Sequence, residues 1–406
     1  WMETMQWRSI GPANMGGRIP ALAVYPQDST IWYAASASGG LLKSTNAGNN
    51  FTHQFDKQST VSIGDVQVAA TDPDLVWVGT GEQNSRNSTS YGDGVYKSTD
   101  GGANWTHMGL KETMHISRII VHPEDPDTVF VAALGHLWGE NEERGIYKTT
   151  DGGQNWEKVL FENPRAGFIA MEMHPTDPDT IIAASWERFR WPYRWASGGP
   201  SSTIYKTTDG GDNWKPVMDG LPESDTGRIG LSYFKADPNV IIASVEKPTR
   251  GQGEEREVLG GIFKSTNGGD SWAKINDLNP RPFYFSTPVQ DPVDPDRIYL
   301  VAVQFHYSSD AGKNFRTMQM SIHVDHHALW VNPEDNNHMI LGNDGGIAQT
   351  RDRGATWEHL DHLRAAQFYA IGVDMRKPYY VYGGLQDNGS WGGPTESRQG
   401  GVDGTD

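Results

Sequence analysis

The stretch Ser98-Thr-Asp100-Gly-Gly102-Ala-Asn-Trp105 decides the fold, because the chain carries seven versions of it. The copies begin at Ser44, Ser98, Thr149, Thr207, Ser265, Ser308 and Thr350, and share the pattern Ser/Thr-x-Asp/Asn-x-Gly-x-x-Trp/Phe. A motif recurring at this period marks a repeat architecture. Each residue type has a mechanical role. The Asp or Asn side chain accepts from backbone N–H groups two residues on and closes a turn. The glycine takes φ > 0. The aromatic ring restarts the strand and packs into the core. The motif therefore predicts a β-hairpin turn, and seven copies of one turn read as scaffold rather than as catalytic aspartates.

A second motif precedes each of these turns. It reads Val121-His-Pro-Glu-Asp125-Pro-Asp127-Thr-Val-Phe-Val-Ala132, with relatives at Thr71-Asp-Pro-Asp74-Leu-Val-Trp-Val78 and His174-Pro-Thr-Asp-Pro-Asp179-Thr-Ile-Ile-Ala183. Each copy places a Pro/Asp turn between two apolar strands. One unit is then strand A, an Asp-Pro turn, strand B, a variable loop, strand C, the Ser-x-Asp turn and strand D. Four antiparallel strands repeated in series predict an all-β fold, a β-propeller with seven complete blades and a partial eighth.

The seven turns resemble the Asp-box repeats of sialidases, of the tandem-propeller xyloglucanases and of the sortilin family. A narrower resemblance rests on Trp7-Arg-Ser-Ile-Gly-Pro12 with Gly16-Gly-Arg-Ile19, His323-Val-Asp-His-His-Ala-Leu-Trp330, Gly342-Asn-Asp-Gly-Gly346 and Gly384-Leu-Gln-Asp-Asn-Gly389. These are similar to the sortilin-type N-terminal propeller of large secreted bacterial proteins often labelled glycosyl hydrolases. The resemblance implies an extracellular, periplasmic or cell-surface protein. It covers the whole chain and speaks for fold before activity, since one fold hosts many functions.

Three segments follow. Residues 18–360 hold the seven repeats. Residues 1–17 precede them, and Gln6-Trp-Arg-Ser-Ile10 resembles the D strands at Asn155-Trp-Glu-Lys-Val159 and Ser271-Trp-Ala-Lys-Ile275, so it is a candidate closing strand. Residues 361–406 supply strands A, B and C of an eighth unit, with no eighth Ser-x-Asp turn. The alternatives are an eight- or ten-bladed ring, or the start of a second propeller continuing past Asp406.

Composition narrows the function classes. The 406 residues include 15 Trp, 15 Tyr and 13 Phe, which excludes a disordered chain. The longest apolar run, about six residues from Val129 to Leu134, is far too short for a membrane-spanning helix. The net charge of −17 argues against nucleic acid or an anionic membrane as partner. With no cysteine there are no disulfides, thiolate metal sites or Cys nucleophiles. Glycosylation sequons stand at Asn87 and Asn388.

Topology puts both turn motifs on one face of the ring. The variable B–C and D–A loops share the other, where binding residues usually sit. The B–C loop of unit four, Trp186-Glu-Arg-Phe-Arg-Trp-Pro-Tyr-Arg-Trp195, interleaves aromatic rings with arginines. Trp186, Trp191 and Trp195 can stack on sugar rings or peptides, and Arg188, Arg190 and Arg194 can hold carboxylates. The competing reading is that this loop packs over the central channel. Arginines recur at the start of strand A, as Arg18, Arg118 and Arg228, and carboxylates at the end of strand B, as Glu82, Glu187, Glu246, Asp344 and Asp387. Gly17-Arg-Ile-Pro20 resembles the sialidase entry motif, and that resemblance implies three arginines converging on a substrate carboxylate. The other reading pairs these arginines and carboxylates with each other.

Two further sets complete the candidates. His323, Asp325 and His327 share one side of an extended segment and offer N/O ligands to a divalent cation. Positions i and i+4 lie about 13 Å apart on a strand, so Asp344 or His306 would have to join them. Asp344 and Asp387 occupy matching Gly-bounded turns in units seven and eight, a candidate acid/base pair also near His326. No cofactor is required. The expectation is a propeller that binds a glycan or peptide on its loop face. The alternative is a glycoside hydrolase whose cleft lies against a second propeller of the same protein.

Overall fold

Runs such as Val129-Phe-Val-Ala-Ala133 have no polar face, and the fold buries them on both sides. Such strands lie second in their sheets, between two neighbours of their own blade and against the sheets beside them. The computed structural model describes residues 16–85, 89–251, 255–363 and 365–396. Blade 1 is β1 (Ala21–Val24), β2 (Trp32–Ala35), β3 (Leu41–Ser44) and β4 (Thr52–His53). Blade 2 is β5 (Ile63–Ala69), β6 (Asp72–Thr80), β7 (Val95–Ser98) and β8 (Thr106–His107). Blade 3 is β9 (Ile116–Val121), β10 (Val129–Ala133), β11 (Gly145–Thr149) and β12 (Glu157–Leu160). Blade 4 has five strands, β13 (Ala166–Met173), β14 (Ile181–Trp191), β15 (Arg194–Ser197), β16 (Ile204–Thr207) and β17 (Lys215–Pro216). Blade 5 is β18 (Ile229–Tyr233), β19 (Ile241–Val245), β20 (Gly261–Ser265) and β21 (Ala273–Asn276). Blade 6 is β22 (Thr287–Gln290), β23 (Arg297–Val301), β24 (Phe305–Ser309) and β25 (Arg316–Thr317). Blade 7 is β26 (His326–Val331), β27 (Met339–Asn343), β28 (Gly346–Thr350) and β29 (Glu358–His359).

The first strands pack in a cycle: β1 on β5, β5 on β9, β9 on β13, β13 on β18, β18 on β22, β22 on β26, and β26 back on β1. The ring thus closes at seven blades, against the eight- and ten-bladed alternatives. Its closing seam is apolar. Ile19, Trp32, Ala34 and Leu42 from the start of the chain pack with Ile340, Ile347, Leu360 and Leu363 from blade 7. Gly16 N–H donates to Gly345 O (2.8 Å), Ile19 N–H to Asn343 O (3.1 Å), and His362 Nε2 meets Gly48 O (2.9 Å). Each blade draws its strands from one contiguous stretch. The candidate closing strand at 6–10 lies outside the described residues.

The turns confirm the scaffold reading and correct its detail. Ser98 Oγ, not the Asp100 carboxylate, takes the N–H two residues on, and also that of Gly102 (2.8 Å). Asp100 instead accepts from the Ser98 hydroxyl (2.8 Å), from Asn104 N–H (2.8 Å) and from Asn104 Nδ2 (2.7 Å). Gly102 sits at φ 94°, where only glycine is unstrained. Trp105 donates Nε1 to Gln54 O of the preceding blade (2.7 Å), so the ring works as an inter-blade wedge. Both turn motifs do share a face, since Gly101 N–H donates to Asp74 O (2.9 Å) and Gly152 N–H to Asp127 O (2.9 Å). Lys43 and Lys148 then reach the turn glycines of the next blades, at 2.8 and 2.7 Å.

The eighth sheet, β30 (Phe368–Val373), β31 (Tyr380–Leu385) and β32 (Ser390–Pro394), has three strands and lies outside the seven-membered cycle. Tyr369, Ile371 and Val373 of β30 are exposed. Its ties to the ring are polar: Asn388 Nδ2 donates to Asp344 O (2.9 Å) and His323 Nε2 meets Asp387 O (3.2 Å). The Asn388 sequon is thereby engaged, and the Asn87 sequon lies outside the described residues. Among the described residues no helix is long and apolar enough to cross a membrane.

Candidate functional site

The first strands enclose a central channel of about 660 Å³. Arg118, Arg228, Asn84 and His327 are among the residues that line it, and none of the seven Ser-x-Asp/Asn turn residues does. The three strand-A arginines do not form one clamp. Arg18 is buried and forms a two-point ion pair with Glu82, Nε to Oε1 at 2.7 Å and Nη2 to Oε2 at 3.2 Å. Arg118 holds Glu172 (2.9 Å) and lies 3.8 Å from Asp65. Arg228 donates to Phe285 O at 2.7 Å. Burial pulls its pKa down to about 10, with Arg118 adding to the fall and Glu246 opposing it.

The strand-B carboxylates are struts between neighbouring elements. Glu187 accepts from Arg165 Nε and from Ser201 N–H, both at 3.0 Å. Glu246 accepts from Arg228 N–H (2.8 Å) and the Ser197 hydroxyl, and burial raises its pKa. Asp344 is buried and takes the His327 Nε2 contact at 2.7 Å. Asp387 is exposed, holds φ 57°, and accepts from the Gln386 amide. The loops of units seven and eight do meet, but through Asn388 rather than a carboxylate pair. His326 packs edge-on against Phe305 at 5.7 Å and lies within electrostatic reach of Asp344.

The His323, Asp325 and His327 set does not assemble as a chelate. His327 has Asn84 at Nδ1 (3.3 Å) and Asp344 at Nε2. His323 has Val324 O at Nδ1 (2.7 Å) and Asp387 O at Nε2. Asp325 has φ 61°, which breaks the strand alternation the sequence reading relied on, and β26 shifts register between His326 and Ala328. Among the described residues no three His, Asp or Glu side chains converge to hold a metal ion. Asp325 has a different property. Its Oδ1 is buried without a partner, and burial, then the neighbouring Asp344 charge, raises its pKa.

The arginine–aromatic loop divides in two. Its first part, Trp186 to Phe189, is buried. Arg188 is 1 % exposed and donates Nη1 to Gln83 O at 2.7 Å. Burial, then the like charge of Arg144, lowers its pKa to about 9. The rest is a hairpin, β14 against β15, with Arg188 paired to Ser197 and Trp191 to Arg194. The hairpin tip is open, with Tyr193 79 % and Trp195 43 % exposed. The Arg194 guanidinium lies 4.4 Å over Trp191, and Trp195 meets Phe283 of the β21–β22 loop with ring centroids 4.4 Å apart. Arg190 N–H donates to Leu137 O (3.0 Å), which sets the hairpin beside the loop of Trp138.

Several site residues escaped the sequence reading. Trp138 and Tyr91, 53 % and 69 % exposed, sit in the B–C loops of blades 3 and 2. Phe283 and Arg281 lie in Asn279-Pro-Arg-Pro-Phe-Tyr-Phe285, an aromatic and proline run that was the available signal. The molecule is a seven-bladed propeller whose loop face carries exposed aromatic rings and arginines.

Comparison with known proteins agrees with this fold. The Sortilin-Vps10 family (sortilin, neurotensin receptor 3) matches residues 93–258, less than half of the chain. A xyloglucanase of Paenibacillus sp. is 22% identical over 306 residues, covering 68% of this chain and 28% of that enzyme. The GH74 xyloglucanase from Xanthomonas campestris superposes with a TM-score of 0.68 at 16% identity, covering 95% of this chain and 60% of that one. YCF48 bound to D1 peptide superposes at 0.53 with 13% identity, over 86% of this chain and 98% of that one. At such identities the structural likeness is one of fold. The chain spans well under half the length of the xyloglucanase relative it matches.

Proposed function

We propose that the loop face binds a glycan chain, and that the protein works at or outside the cell surface. The observation that carries this reading is the set of exposed rings in the B–C loops of three consecutive blades, Tyr91, Trp138, Tyr193 and Trp195. Solvent-facing aromatic rings are the surfaces on which the C–H faces of pyranose rings stack, and one large side chain of this kind can dominate an interface. The similarity to xyloglucanases supports a polysaccharide over a peptide. Trp195→Ala should weaken binding of xyloglucan oligosaccharides by about 1–3 kcal/mol. Calorimetry checks this, with the melting temperature as control. Because the hairpin tip is exposed, an equal loss of melting temperature and affinity would mean that Trp195 only packs.

A glycoside hydrolase is the second reading, favoured by the carboxyl of Asp325. A partly buried carboxyl with a raised pKa beside a second carboxylate is how a general acid is kept protonated. Asp344 and Asp387 are the other candidate catalytic groups. Release of reducing ends from xyloglucan, measured for the parent and for Asp325→Asn, Asp344→Asn and Asp387→Asn, decides this reading. Hydrolysis unchanged in all three variants would end it.

A further inference from the structure

The aromatic cluster at the hairpin tip carries a charge pattern unlike the rest of the chain. Arg190 is the cross-strand partner of Trp195, so the two side chains share one face of the hairpin, and Arg281 lies 5.7 Å from the centre of Phe283, the ring that meets Trp195. Arg194 lies over Trp191, its own cross-strand partner, on the other face. Neither Arg190 nor Arg281 forms an ion pair among the described residues, whereas Arg165 holds both Glu140 and Glu187. This is unusual in a chain with 51 acidic against 34 basic residues. Part of that excess is sequestered on the opposite face, where the repeat turns bear carboxylates such as Asp100, Asp127, Asp151 and Asp179. The Asp325 carboxyl lies within electrostatic reach of Arg281.

A guanidinium lying over a ring keeps its N–H edge free, and that edge is a fork matched to a carboxylate. A neutral sugar needs the ring faces alone. A sugar bearing a carboxylate uses both the face and the fork. We propose that the Trp195–Phe283 surface, with Arg190 and Arg281, is a subsite for a uronic-acid residue of an acidic polysaccharide. The proposal rests on the glycan reading above and adds the ligand's charge.

The test compares glucuronoxylan with its carboxyl-reduced form, in which only the acid group has changed, alongside neutral xyloglucan and poly-glutamate. Calorimetry should show the acidic glycan binding about tenfold tighter than the reduced one at about 50 mM salt, with the difference lost at about 500 mM. Arg190→Gln/Arg281→Gln should remove that preference and leave binding of the reduced glycan unchanged. Equal binding of the two xylans, or a preference that survives the double substitution, overturns the proposal while neutral-glycan binding keeps the broader reading. Poly-glutamate binding as tight as glucuronoxylan overturns it in favour of an acidic peptide. Binding of no glycan at all sinks both.

Discussion

Glu82→Ala should lower the unfolding free energy by about 3–5 kcal/mol, the range expected when one partner of a buried ion pair is removed and the other is left uncompensated. Glu82 and Arg18 are each about 1 % exposed at the side chain, and two contacts join them. Burial works against the Arg18 charge, and Glu82 is the largest influence holding the guanidinium above its ordinary pKa. The pair also has a position that magnifies its loss. Arg18 enters blade 1, Glu82 leaves β6 of blade 2, and Arg18 Nη2 touches Gln367 in the link to the eighth sheet at 3.5 Å. The Glu82 carbonyl also takes His115 Nδ1 at 3.0 Å, so the same residue anchors blade 3. Removing the side chain leaves an unpaired cation at the junction of three elements. Replacing both partners at once, as Arg18→Met/Glu82→Leu, should restore much of the stability, because an apolar pair of similar volume carries no desolvation cost. Urea denaturation of the two single variants and the double variant measures the coupling. Additive losses across that cycle would show the pair to be incidental.

This pair also shows what a sequence can and cannot disclose. The period of the Ser-x-Asp turns determined strand order and the sorting of faces, because each follows from chain connectivity and local turn chemistry. Closure at seven did not follow, because it depends on Trp32 and Leu42 of blade 1 meeting Ile340, Ile347 and Leu360 of blade 7. No local pattern records that meeting. The internal pairing of arginines with strand-B carboxylates was legible as one of two readings, and residue types alone could not choose between them. Burial chose for Arg18 and Glu82, while Arg118 found Glu172 inside strand β13 rather than any strand-end carboxylate.

The loop face was legible in outline and misread in detail for one physical reason. Alternation rules assume a regular strand, and the site departs from it. Asp325 holds left-handed backbone at φ 61°, so the alternation that was to align it with His323 and His327 does not apply. At the arginine–aromatic loop the opposite occurs. Strand β14 is 11 residues long, more than the other strands of the blades, so Trp186 and Arg188 are still inside the fold when Trp191 emerges. Composition identifies such a segment as unusual, and only the length of the strand says which half is ligand-facing.

Acid should separate the parent protein from a variant in which four turn aspartates, Asp151, Asp209, Asp310 and Asp352, are replaced by asparagine. All four carboxyls are held down at a pKa of about 2 against an ordinary value of 3.8. At Asp151 the largest cause is the N–H of Asn155, and at Asp209 it is the Asn213 amide. A carboxyl whose folded-state pKa is depressed contributes stability that is fully present above its unfolded value and is lost as pH falls through the folded one. The advantage of the parent over the variant should therefore be constant above pH 3.8 and shrink steadily towards pH 2. Comparing the two chains removes the other titrations from the result. Asp65, raised to about 6 by burial, and His326, lowered to about 3 by burial, are present in both. The variant should still fold at neutral pH, because the protein already contains the design. Asn46 and Asn267 occupy this turn position in blades 1 and 5, and their Oδ1 atoms accept from the N–H four residues on, at 3.1 and 3.0 Å. What asparagine cannot do is accept a second bond from Asn155 Nδ2, which Asp151 takes at 2.7 Å. Blade 5 meets that difficulty with Ser271, whose hydroxyl receives the Asn267 amide at 2.9 Å. Adding Asn155→Ser to Asp151→Asn should accordingly recover part of the loss at pH 7 without restoring the acid dependence. Thermal melts of the parent and variants between pH 7 and about pH 2 follow both effects. A difference that stayed constant down to the lowest pH would mean that the turn carboxylates are not what the ring loses in acid.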